Sequence, residues 1–381
     1  MTVAAAPVSA AERAAMSRAV GLALNGRGRV SPNPLVGAVV LRDGEVVAEG
    51  WHEGPGLPHA EAMALTAAGE AARGATVVCT LEPCSHHGRT PPCADALVAA
   101  GVGRVVIGLL DPLERDRAQG REVLRAAGVE VAVADGPEAA ACAELNAPFL
   151  TAALTGRPHV TLKLATSLDG KIATATGESR WISGAASRGL VHRWRADSDA
   201  VAVGLGTALA DDPLLTARDV AGPVRQPARV VFDSGARLPL GSALVRDAGS
   251  APVIVVASDQ ADPGRVAALR EAGVDVAAVA GAPPERLGAG LEALAARGIQ
   301  SLFVEGGAGL AGGLVAAGAV DRVAWFLAPI LIGGAAAPSA IGGEGIAALA
   351  SAPRLSGIET ERVGDDILVT GRLRPLAGSE A

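Results

Sequence analysis

The chain has 381 residues, a formal net charge of −7 and a pI of about 5.5, which argues against a broad nucleic-acid or membrane surface. Half of the residues are hydrophobic but only 2% are aromatic, so the core must consist mainly of Ala, Val, Leu and Ile. The first stretch, "MTVAAAPVSAAERAAM", is not typical of a secretory signal, and no uncharged apolar run reaches the roughly 18 residues that cross a bilayer. Four cysteines are too few for a disulfide scaffold, which predicts a cytoplasmic protein.

The first 156 residues predict alternating helices and strands. Ser9 and Glu12 form a capping-box pattern ahead of an amphipathic helix. Two β-rich runs joined by "DG" at 43–44 predict a hairpin. Further helices are predicted at "HAEAMALTAAGEAARG", "PPCADALVAAG" and "AQGREVLRAAG", and strands at "ATVVCTL", "GRVVIGLL" and "VEVAVA". One helix from about Glu138 to Leu154 and a linker, "TGRP", complete this part.

A second alternating pattern begins after Pro158. Strands are predicted at "HVTLKLATS", "AVAVG", "ARVVFDS", "PVIVVAS", "VDVAAVA", "SLFVEGG" and "DRVAWFLAPILIG", with two short strands at the end. Helices are predicted at "AASRGLVHRWRADS", at 263–272, at 284–297 and at "LAGGLVAAG". Strands that alternate with helices favour a partly parallel sheet. The predicted fold class is therefore α/β, with two independent domains at 1–156 and 157–381.

A cluster of metal-binding residue types lies in the first domain. His59-x-Glu61 is followed by Pro83-Cys84 and then by Cys93. This order is the signature of zinc nucleobase deaminases, in which one His and two Cys hold the metal and the Glu moves protons. The two parts begin successive predicted helices, so the three ligands can converge across helix N-termini. A fourth zinc position is then left for a water, whose pKa falls to about 7.

The spacing C-x8-C leaves alternatives open. His86 and His87 lie between the two cysteines, but adjacent histidines rarely point at one ion, so substrate contact or simple exposure is favoured for them. Cys79 in an apolar strand and Cys142 on a helix are predicted to be core thiols. A coincidental cluster or a structural zinc site is the remaining alternative, although a structural site usually has four protein ligands.

A glycine motif occurs late in the second domain. "GGAGLAG" contains a literal G-x-G-x-x-G between a predicted strand and a predicted helix. A Rossmann site is disfavoured, because the motif does not follow the first strand and no acidic residue follows at the required spacing. The glycines can still expose backbone N–H groups to a phosphate at a helix N-terminus. The alternative is a tight turn with close helix packing.

Three stretches of the first domain, "SPNPLVGAVV", "PHAEAMAL" and "TLEPCSHHGRTPPCADAL", closely resemble the bifunctional deaminase/reductase family of riboflavin biosynthesis. The resemblance implies a cytidine-deaminase-like three-layer sandwich. It also implies a zinc site and a proton-shuttling carboxylate, carried by the residues His59, Cys84, Cys93 and Glu61. The loop "LERDRAQG" after Asp111-Pro112 departs from the family pattern, which leaves its substrate contacts open.

Two further residues of the first domain are implied as substrate contacts. Asn33, in "SPNP", is similar to an Asn that orients the base, and an amide can pair with a pyrimidinone edge. The alternative is a turn residue between two prolines. Arg89 is a candidate phosphate ligand, with simple solvation as its alternative. His52 is a weaker candidate for the lining of the same pocket.

The second domain resembles the reductase half of the same family, with a dihydrofolate-reductase-like fold and NADPH as cofactor. The matching stretches are "LKLATSLDGKIA", "GESRWIS", "VGLGTALADDPLLTAR", "VVFDS" and "FVEGGAGLAGGL". The implied NADPH contacts are Ala165, Trp181, Thr207, Asp211, Ser234 and the 307–313 loop with Gly307, Ala308, Gly309 and Leu310. The implied substrate contacts are Ser179, Arg195, Arg218 and Glu305; guanidinium groups suit a 5′-phosphate. Lys163, Asp211 and Glu305 are candidates for protonation during reduction.

The predicted function is therefore a two-step conversion of one phosphorylated pyrimidine. Zinc-dependent deamination of 2,5-diamino-6-(5-phosphoribosylamino)pyrimidin-4(3H)-one is followed by NADPH-dependent reduction of the ribosyl side chain to ribityl. A homo-oligomer is expected from the resemblance. Two alternatives are a tRNA deaminase with an appended nucleotide-binding domain and a zinc-stabilised binding module without activity. A tRNA deaminase would need a basic groove and aromatic side chains on which bases stack. This acidic, aromatic-poor chain is not suited to either.

Overall fold

The computed structural model describes residues 6–87, 91–113, 119–222 and 225–377. The chain forms two compact units, of which one runs to Thr155 and also includes Leu376 and Ala377, and the other spans Gly156–Pro375. The division of the chain into domains at 156/157 stays a prediction. Within the described residues, no helix is long and apolar enough to cross a membrane.

The described residues of the first unit form a five-stranded sheet and six α-helices. The sheet has the order β2-β1-β3-β4-β5, in which β1 is antiparallel to β2 and β3, and β3, β4 and β5 are parallel. The strands are β1 Gly37–Arg42, β2 Glu45–Trp51, β3 Thr76–Cys79, β4 Arg104–Ile107 and β5 Glu130–Val133. The helices are α1 Ala10–Ala23, α2 Ala60–Ala68, α3 Cys93–Ala100, α4 Gln119–Ala126, α5 Gly136–Leu145 and α6 Ala147–Thr155.

Local signals at the start of this unit are confirmed. The Ser9 and Glu12 side chains each accept a hydrogen bond from the other's backbone N–H, which completes the predicted capping box of α1. Asp43 and Gly44 join β1 to β2 with φ angles of 53° and 84°. Positive φ at both positions is what a two-residue type I′ hairpin turn requires. The "DG" dipeptide therefore determines the hairpin.

The sheet lies between two layers of helices. Small side chains of α1, with Cys142 of α5, pack on one face against Val39, Val78 and Val106. Helices α2, α3 and α4 pack on the other face, where Leu97 and the central strands are fully buried. The predicted three-layer α/β sandwich is confirmed.

The predicted single helix from Glu138 to Leu154 is wrong, because α5 ends and α6 begins around Asn146. The Asn146 side chain bonds to the backbone of Leu35, accepting at 2.8 Å and donating at 3.0 Å. Pro148 also lacks the N–H that a continuous helix would need at that position. A long-range contact and a missing donor thus divide one apolar stretch into two helices.

The second unit contains a nine-stranded sheet of order β10-β9-β8-β7-β11-β6-β12-β14-β13. Its first seven strands in that order are parallel, and β14 is antiparallel to both β12 and β13. The strands are β6 His159–Ser167, β7 Ala200–Gly204, β8 Ala228–Phe232, β9 Val253–Ser258, β10 Asp275–Val279, β11 Ser301–Val304, β12 Arg322–Ala328, β13 Ser356–Val363 and β14 Asp366–Arg372. The helices are α7 Ala185–Asp197, α8 Leu205–Asp211, α9 Ala243–Arg246, α10 Pro263–Glu271, α11 Pro283–Ala295 and α12 Ala308–Ala316.

Two local predictions in this unit differ from the structure. The strand predicted over "DRVAWFLAPILIG" ends at Ala328, because Pro329 lacks the N–H that a ladder needs. The short helix α8 was not predicted from "LGTALAD". The second difference matters for the site, because α8 begins where the parallel strand β7 ends.

The carboxyl ends of the parallel strands meet at one edge of this sheet. Strand β7 runs straight into α8, and β11 reaches α12 through Glu305, Gly306 and Gly307. Ligands of open α/β sheets bind at such an edge. The fold therefore places the strand-end residues of β6, β7 and β11 in one region.

Candidate active sites

Helix N-termini bring together the three predicted metal ligands of the first unit. His59 directly precedes α2, and Cys93 is the first residue of α3. Cys84 lies in the loop after β3 and accepts a hydrogen bond from the Cys93 backbone N–H at 3.4 Å. The positive ends of two helices thus face the side chains that must carry thiolate charge.

The distances in this cluster fit a tetrahedral zinc ion. His59 Nδ1 lies 3.2 Å from Cys93 Sγ and 3.6 Å from Cys84 Sγ, and all three ligand atoms lie within 4.8 Å of one another. Ordinary zinc–nitrogen and zinc–sulfur bonds at a tetrahedral angle place N and S about 3.5 Å apart. Three protein ligands leave a fourth position, as in catalytic rather than structural zinc sites.

The protonation of the cluster also suits a metal. The hydrogen bond with Cys93 lowers the pKa of the Cys84 thiol to about 4, while the same pairing raises the pKa of Cys93. The hydrogen bond with Cys84 raises the pKa of His59. The pairing thus favours one thiolate, and a zinc ion held by both sulfurs would require the loss of the remaining thiol proton.

Glu61 is buried beside the cluster without being part of it. It lies in the first turn of α2, is 3% exposed and hydrogen-bonds to the Cys93 thiol. Burial, and then the charge of Cys84, raises the pKa of the Glu61 carboxyl. A raised pKa suits a carboxylate that must both accept and release a proton.

Asn33 reaches the cluster through a buried histidine. Asn33 Nδ2 donates to His52 Nε2 at 3.0 Å, and His52 Nδ1 donates to the Pro58 carbonyl at 3.1 Å. Burial lowers the pKa of His52, so the neutral ring holds the Asn33 amide in one orientation. The His52 and His59 rings are 5.3 Å apart, edge to face. Asn33 is therefore near the predicted metal ligands.

The other residues around the two cysteines stand apart from the cluster. Among the residues that the structure describes, the only group of ligating atoms close enough for a metal is His59, Cys84 and Cys93, without His86 or His87. Arg89 lies outside the described residues. Cys79 and Cys142 are fully buried free thiols, which agrees with their predicted place in the core.

A cavity of about 1450 Å³ lies at the carboxyl ends of the parallel strands in the second unit. It is large enough for a dinucleotide together with a small substrate. Its lining contains most residues predicted to contact NADPH or substrate. These are Ala165, Ser179, Trp181, Arg195, Thr207, Asp211, Arg218, Glu305, Gly307, Ala308, Gly309 and Leu310.

One predicted contact lies outside this lining, and Arg188 and His192 are among the lining residues that were not predicted. Ser234 follows β8, and its carbonyl accepts a hydrogen bond from the Ser258 N–H, so it is tied to the neighbouring strand. Arg188 and His192 line the cavity on the α7 face that also bears Arg195. Their spacing of four and three residues is a helical periodicity that the sequence already contains.

Two predicted substrate contacts form a half-buried ion pair. Arg195 reaches Glu305 with both Nε and Nη2, the latter at 2.9 Å, and its Nη1 donates to the Thr216 carbonyl at 3.0 Å. Burial acts to raise the pKa of Glu305, but the positive charge of Arg195 opposes this effect and the pKa is lowered. The bidentate pair keeps a carboxylate ionised inside the cavity.

Lys163 is another basic group near Glu305. It lies on β6 and lines the cavity. Burial lowers the pKa of the Lys163 amine, an effect that Glu305 opposes and Arg195 adds to. A lysine that loses its proton more easily than usual can act as a proton donor near neutral pH.

The glycine motif has two structural roles. Gly307 has a φ of 58°, and a Cβ there would lie 2.7 Å from Thr207 Oγ1, whereas Gly309 faces open space. Because these glycines have no side chains, a phosphate can come close to the backbone N–H groups at the start of α12. Gly312 instead packs against Gly342, whose carbonyl oxygen would be 2.0 Å from an added Cβ. The first part of the motif borders the cavity, and its last glycine permits close packing.

The two sites define a class of protein: a zinc-dependent deaminase unit joined to a unit with a cofactor-sized cavity. The chain matches the family model described as the cytidine and deoxycytidylate deaminase zinc-binding region over residues 9–109. It matches the model described as the RibD C-terminal domain over residues 158–369.

Full-length relatives give the family. The chain is 43% identical over 357 residues to the riboflavin biosynthesis protein RibD of Actinobacillus pleuropneumoniae, covering 93% of each chain. It is 40% identical to RibD of Escherichia coli, covering 92% of this chain and 96% of that one. The solved structure of Acinetobacter baumannii RibD is 36% identical, with a TM-score of 0.84 over 95% of this chain and 98% of that chain. The chain belongs to the RibD family.

A second solved structure has a more explicit description. It is a diaminohydroxyphosphoribosylaminopyrimidine deaminase/5-amino-6-(5-phosphoribosylamino)uracil reductase from Thermotoga maritima. The likeness is 36% identity with a TM-score of 0.82, over 95% of this chain and 98% of that chain. The predicted α/β class with a deaminase-like and a reductase unit is confirmed by these relatives and family models.

Proposed function

We propose that this chain catalyses the two reactions of a bifunctional riboflavin-biosynthesis enzyme, and that each reaction takes place at its own site. The chain is a zinc-dependent deaminase and an NADPH-dependent reductase. Its substrate is 2,5-diamino-6-(5-phosphoribosylamino)pyrimidin-4(3H)-one, and its product is 5-amino-6-(5-phosphoribitylamino)uracil. The observation that supports the assignment of residues is the His59, Cys84 and Cys93 cluster with buried Glu61 beside it.

In the deaminase site, His59, Cys84 and Cys93 hold the zinc. When bound, the ion supplies Lewis-acid activation of a water at neutral pH. Glu61 accepts a proton from the attacking water and passes it to the ring nitrogen and then to the leaving amino group. Water adds at C2, ammonia leaves, and a carbonyl remains. The Asn33 amide, oriented by His52, pairs with the pyrimidinone edge and fixes the ring.

In the reductase site, the lining residues hold both reactants. NADPH supplies a hydride when bound. The backbone at Gly307 and Gly309 would hold its phosphates, and Arg218 and Arg195 would hold the phosphate and ribose of the substrate. After the ribose ring opens, C1′ takes the hydride and the adjoining nitrogen takes a proton. Lys163 is the group that we assign as the proton donor, and the negative charge of Glu305 favours the protonated form of Lys163 before the transfer.

A coupled assay tests the assignment as a whole. The diaminopyrimidine is supplied with NADPH, and ammonia release and NADPH oxidation are followed separately. We expect ammonia to appear without NADPH, and NADPH oxidation to depend on prior ammonia release or on added deaminated pyrimidine. Zinc bound in equal stoichiometry without ammonia release would favour the binding-module alternative.

Lys163→Met is expected to reduce NADPH oxidation by about 10²–10⁴-fold, because it removes the proton donor. In the native enzyme, the protonated form is required, so the rate falls as pH rises through the pKa of Lys163. Burial lowers this pKa, with Glu305 and Arg195 as the charged neighbours, so the decline begins below the ordinary lysine value of about 10.4. Stopped-flow NADPH oxidation from pH 6 to about 10 measures both effects.

The matched control is Lys171→Met. Lys171 donates to the Ala337 carbonyl at 2.9 Å and does not line the cavity. It should keep NADPH oxidation close to the native rate. Equal losses in both variants, or a native pH profile in Lys163→Met with full rate, would contradict the role of Lys163.

The assembly of the chain and its location in the cell are also proposals. We infer a homo-oligomer, supported by the exposed edge strand β13 and by Leu331 and Leu349, which are 78% and 90% exposed. A cytoplasmic enzyme is supported by four free cysteines, two of which must stay reduced to bind metal. Light scattering of the purified chain tests the first statement. The tRNA-deaminase alternative is not favoured, since the relatives share both domains.

A further inference from the structure

One wall of the reductase cavity is built by α7 and the segment before it. Trp181, Ser183, Arg188 and His192 all line the cavity. The Arg188 guanidinium lies 4.5 Å from the centre of the Trp181 ring, and its Nη1 donates to the Ser183 carbonyl at 2.6 Å. Trp181 is itself 68% exposed, so the cation–π contact with Arg188 restricts a ring that is otherwise largely open to solvent.

The helix that carries Arg188 has no cap of its own. Gly184 is its N-cap residue and has no side chain to accept the first backbone N–H groups. The free N–H groups at a helix N-terminus need partners, and a negative charge there is favourable. An acceptor from another part of the chain can therefore take this role.

Asp366, the first residue of β14, supplies that cap. Its Oδ2 accepts from the Gly184 N–H at 2.8 Å and from the Ser187 hydroxyl at 2.5 Å. Asp366 is 1% exposed and Ser187 is 0% exposed, so both bonds are shielded from water. The turn before β14 also approaches closely, since a Cβ at Gly364 would lie 3.1 Å from Ala186 Cβ.

The geometry points to Asp366 as a positioning residue of the reductase site. By capping α7, it fixes Arg188 and, through Arg188, the Trp181 wall of the cofactor cavity. Asp366 itself is not part of the cavity lining. This inference rests on the proposed function, in which the cavity binds NADPH.

The test compares Asp366→Ala with Asp199→Asn in the full-length chain. Asp199 is a matched control because it is also a buried carboxylate that accepts backbone N–H groups and a serine hydroxyl, here from Gln300 and Ser301 at 3.0 Å. It lies at the start of β7, at the sheet edge opposite the cavity. Both variants should lower the midpoint of thermal unfolding, so stability alone does not separate them.

The readout that separates them is NADPH affinity. We expect Asp366→Ala to raise the calorimetric Kd and the KM for NADPH by roughly fivefold or more, and Asp199→Asn to leave both within about twofold. Asp366→Asn keeps an acceptor oxygen but loses the charge, so it should fall between Asp366→Ala and the native chain. Ammonia release should be unchanged in all three variants.

Two results would overturn the inference: native NADPH affinity in Asp366→Ala, or an equal loss in Asp199→Asn. If Asp366→Ala fails to fold, the same comparison is made with Asp366→Asn and Ser187→Ala. Native NADPH affinity in both of these variants would also overturn the inference. Failure of the proposed function is different, because the native chain itself would then bind no NADPH.

Discussion

Glu61→Gln is expected to lose ammonia release by about 10²–10⁴-fold while retaining zinc. The amide has the same shape as the buried carboxyl but cannot accept a proton from water. Burial raises the pKa of the native Glu61 carboxyl, as expected of a group that holds a proton between two transfers. Zinc content by emission spectroscopy and ammonia release by a coupled enzymatic assay measure the two properties on the same sample.

The effect of Glu61→Gln should be confined to one site. With deaminated pyrimidine supplied as substrate, NADPH oxidation is expected at the native rate. Glu12→Gln is the matched control, because Glu12 is a buried carboxylate of the same unit that caps α1 and pairs with Arg104. It should lower stability but keep ammonia release. Full deaminase turnover in Glu61→Gln would refute the assignment.

Cys84→Ser is expected to abolish zinc retention and, with it, ammonia release. A serine hydroxyl stays protonated at neutral pH and is a poor zinc ligand compared with a thiolate. The hydrogen bond with Cys93 lowers the pKa of the Cys84 thiol, which favours the thiolate that a zinc ion needs as a ligand. After dialysis, zinc per chain should fall from about one to below about one tenth.

Cys142→Ser is the matched control for the loss of zinc. Cys142 is also a buried thiol of the first unit, but burial raises its pKa to about 12 and it is not part of the cluster. The variant should retain zinc and ammonia release, with some loss of stability. Normal zinc content in Cys84→Ser would contradict the ligand assignment.

Local patterns predicted most elements because their causes are local. The capping box of Ser9 and Glu12 and the positive φ angles at Asp43 and Gly44 need only neighbouring residues. The division of α5 from α6 could not be predicted as securely, because Asn146 bonds to Leu35, 111 residues away. Contacts of that length depend on the assembled fold.

The candidate sites show the same distinction. The types and order of His59, Glu61, Cys84 and Cys93 indicated a deaminase because this chemistry requires one imidazole, two thiolates and a carboxylate. The literal glycine motif was less specific, and only the structure separates the cavity-facing Gly309 from Gly312, which packs against Gly342. Residue type alone does not distinguish these roles.

The sequence by itself determined the class of chemistry, the α/β pattern and the family, since these depend on residue types at short spacings. Tertiary structure decided which distant residues meet. Arg195 and Glu305 are 110 residues apart and form one ion pair, which only the adjacent ends of α7 and β11 can bring together. Asp366 reaches Ser187 across 179 residues because the last hairpin packs on the start of α7. Such contacts arise from packing between elements, which no short stretch of sequence encodes.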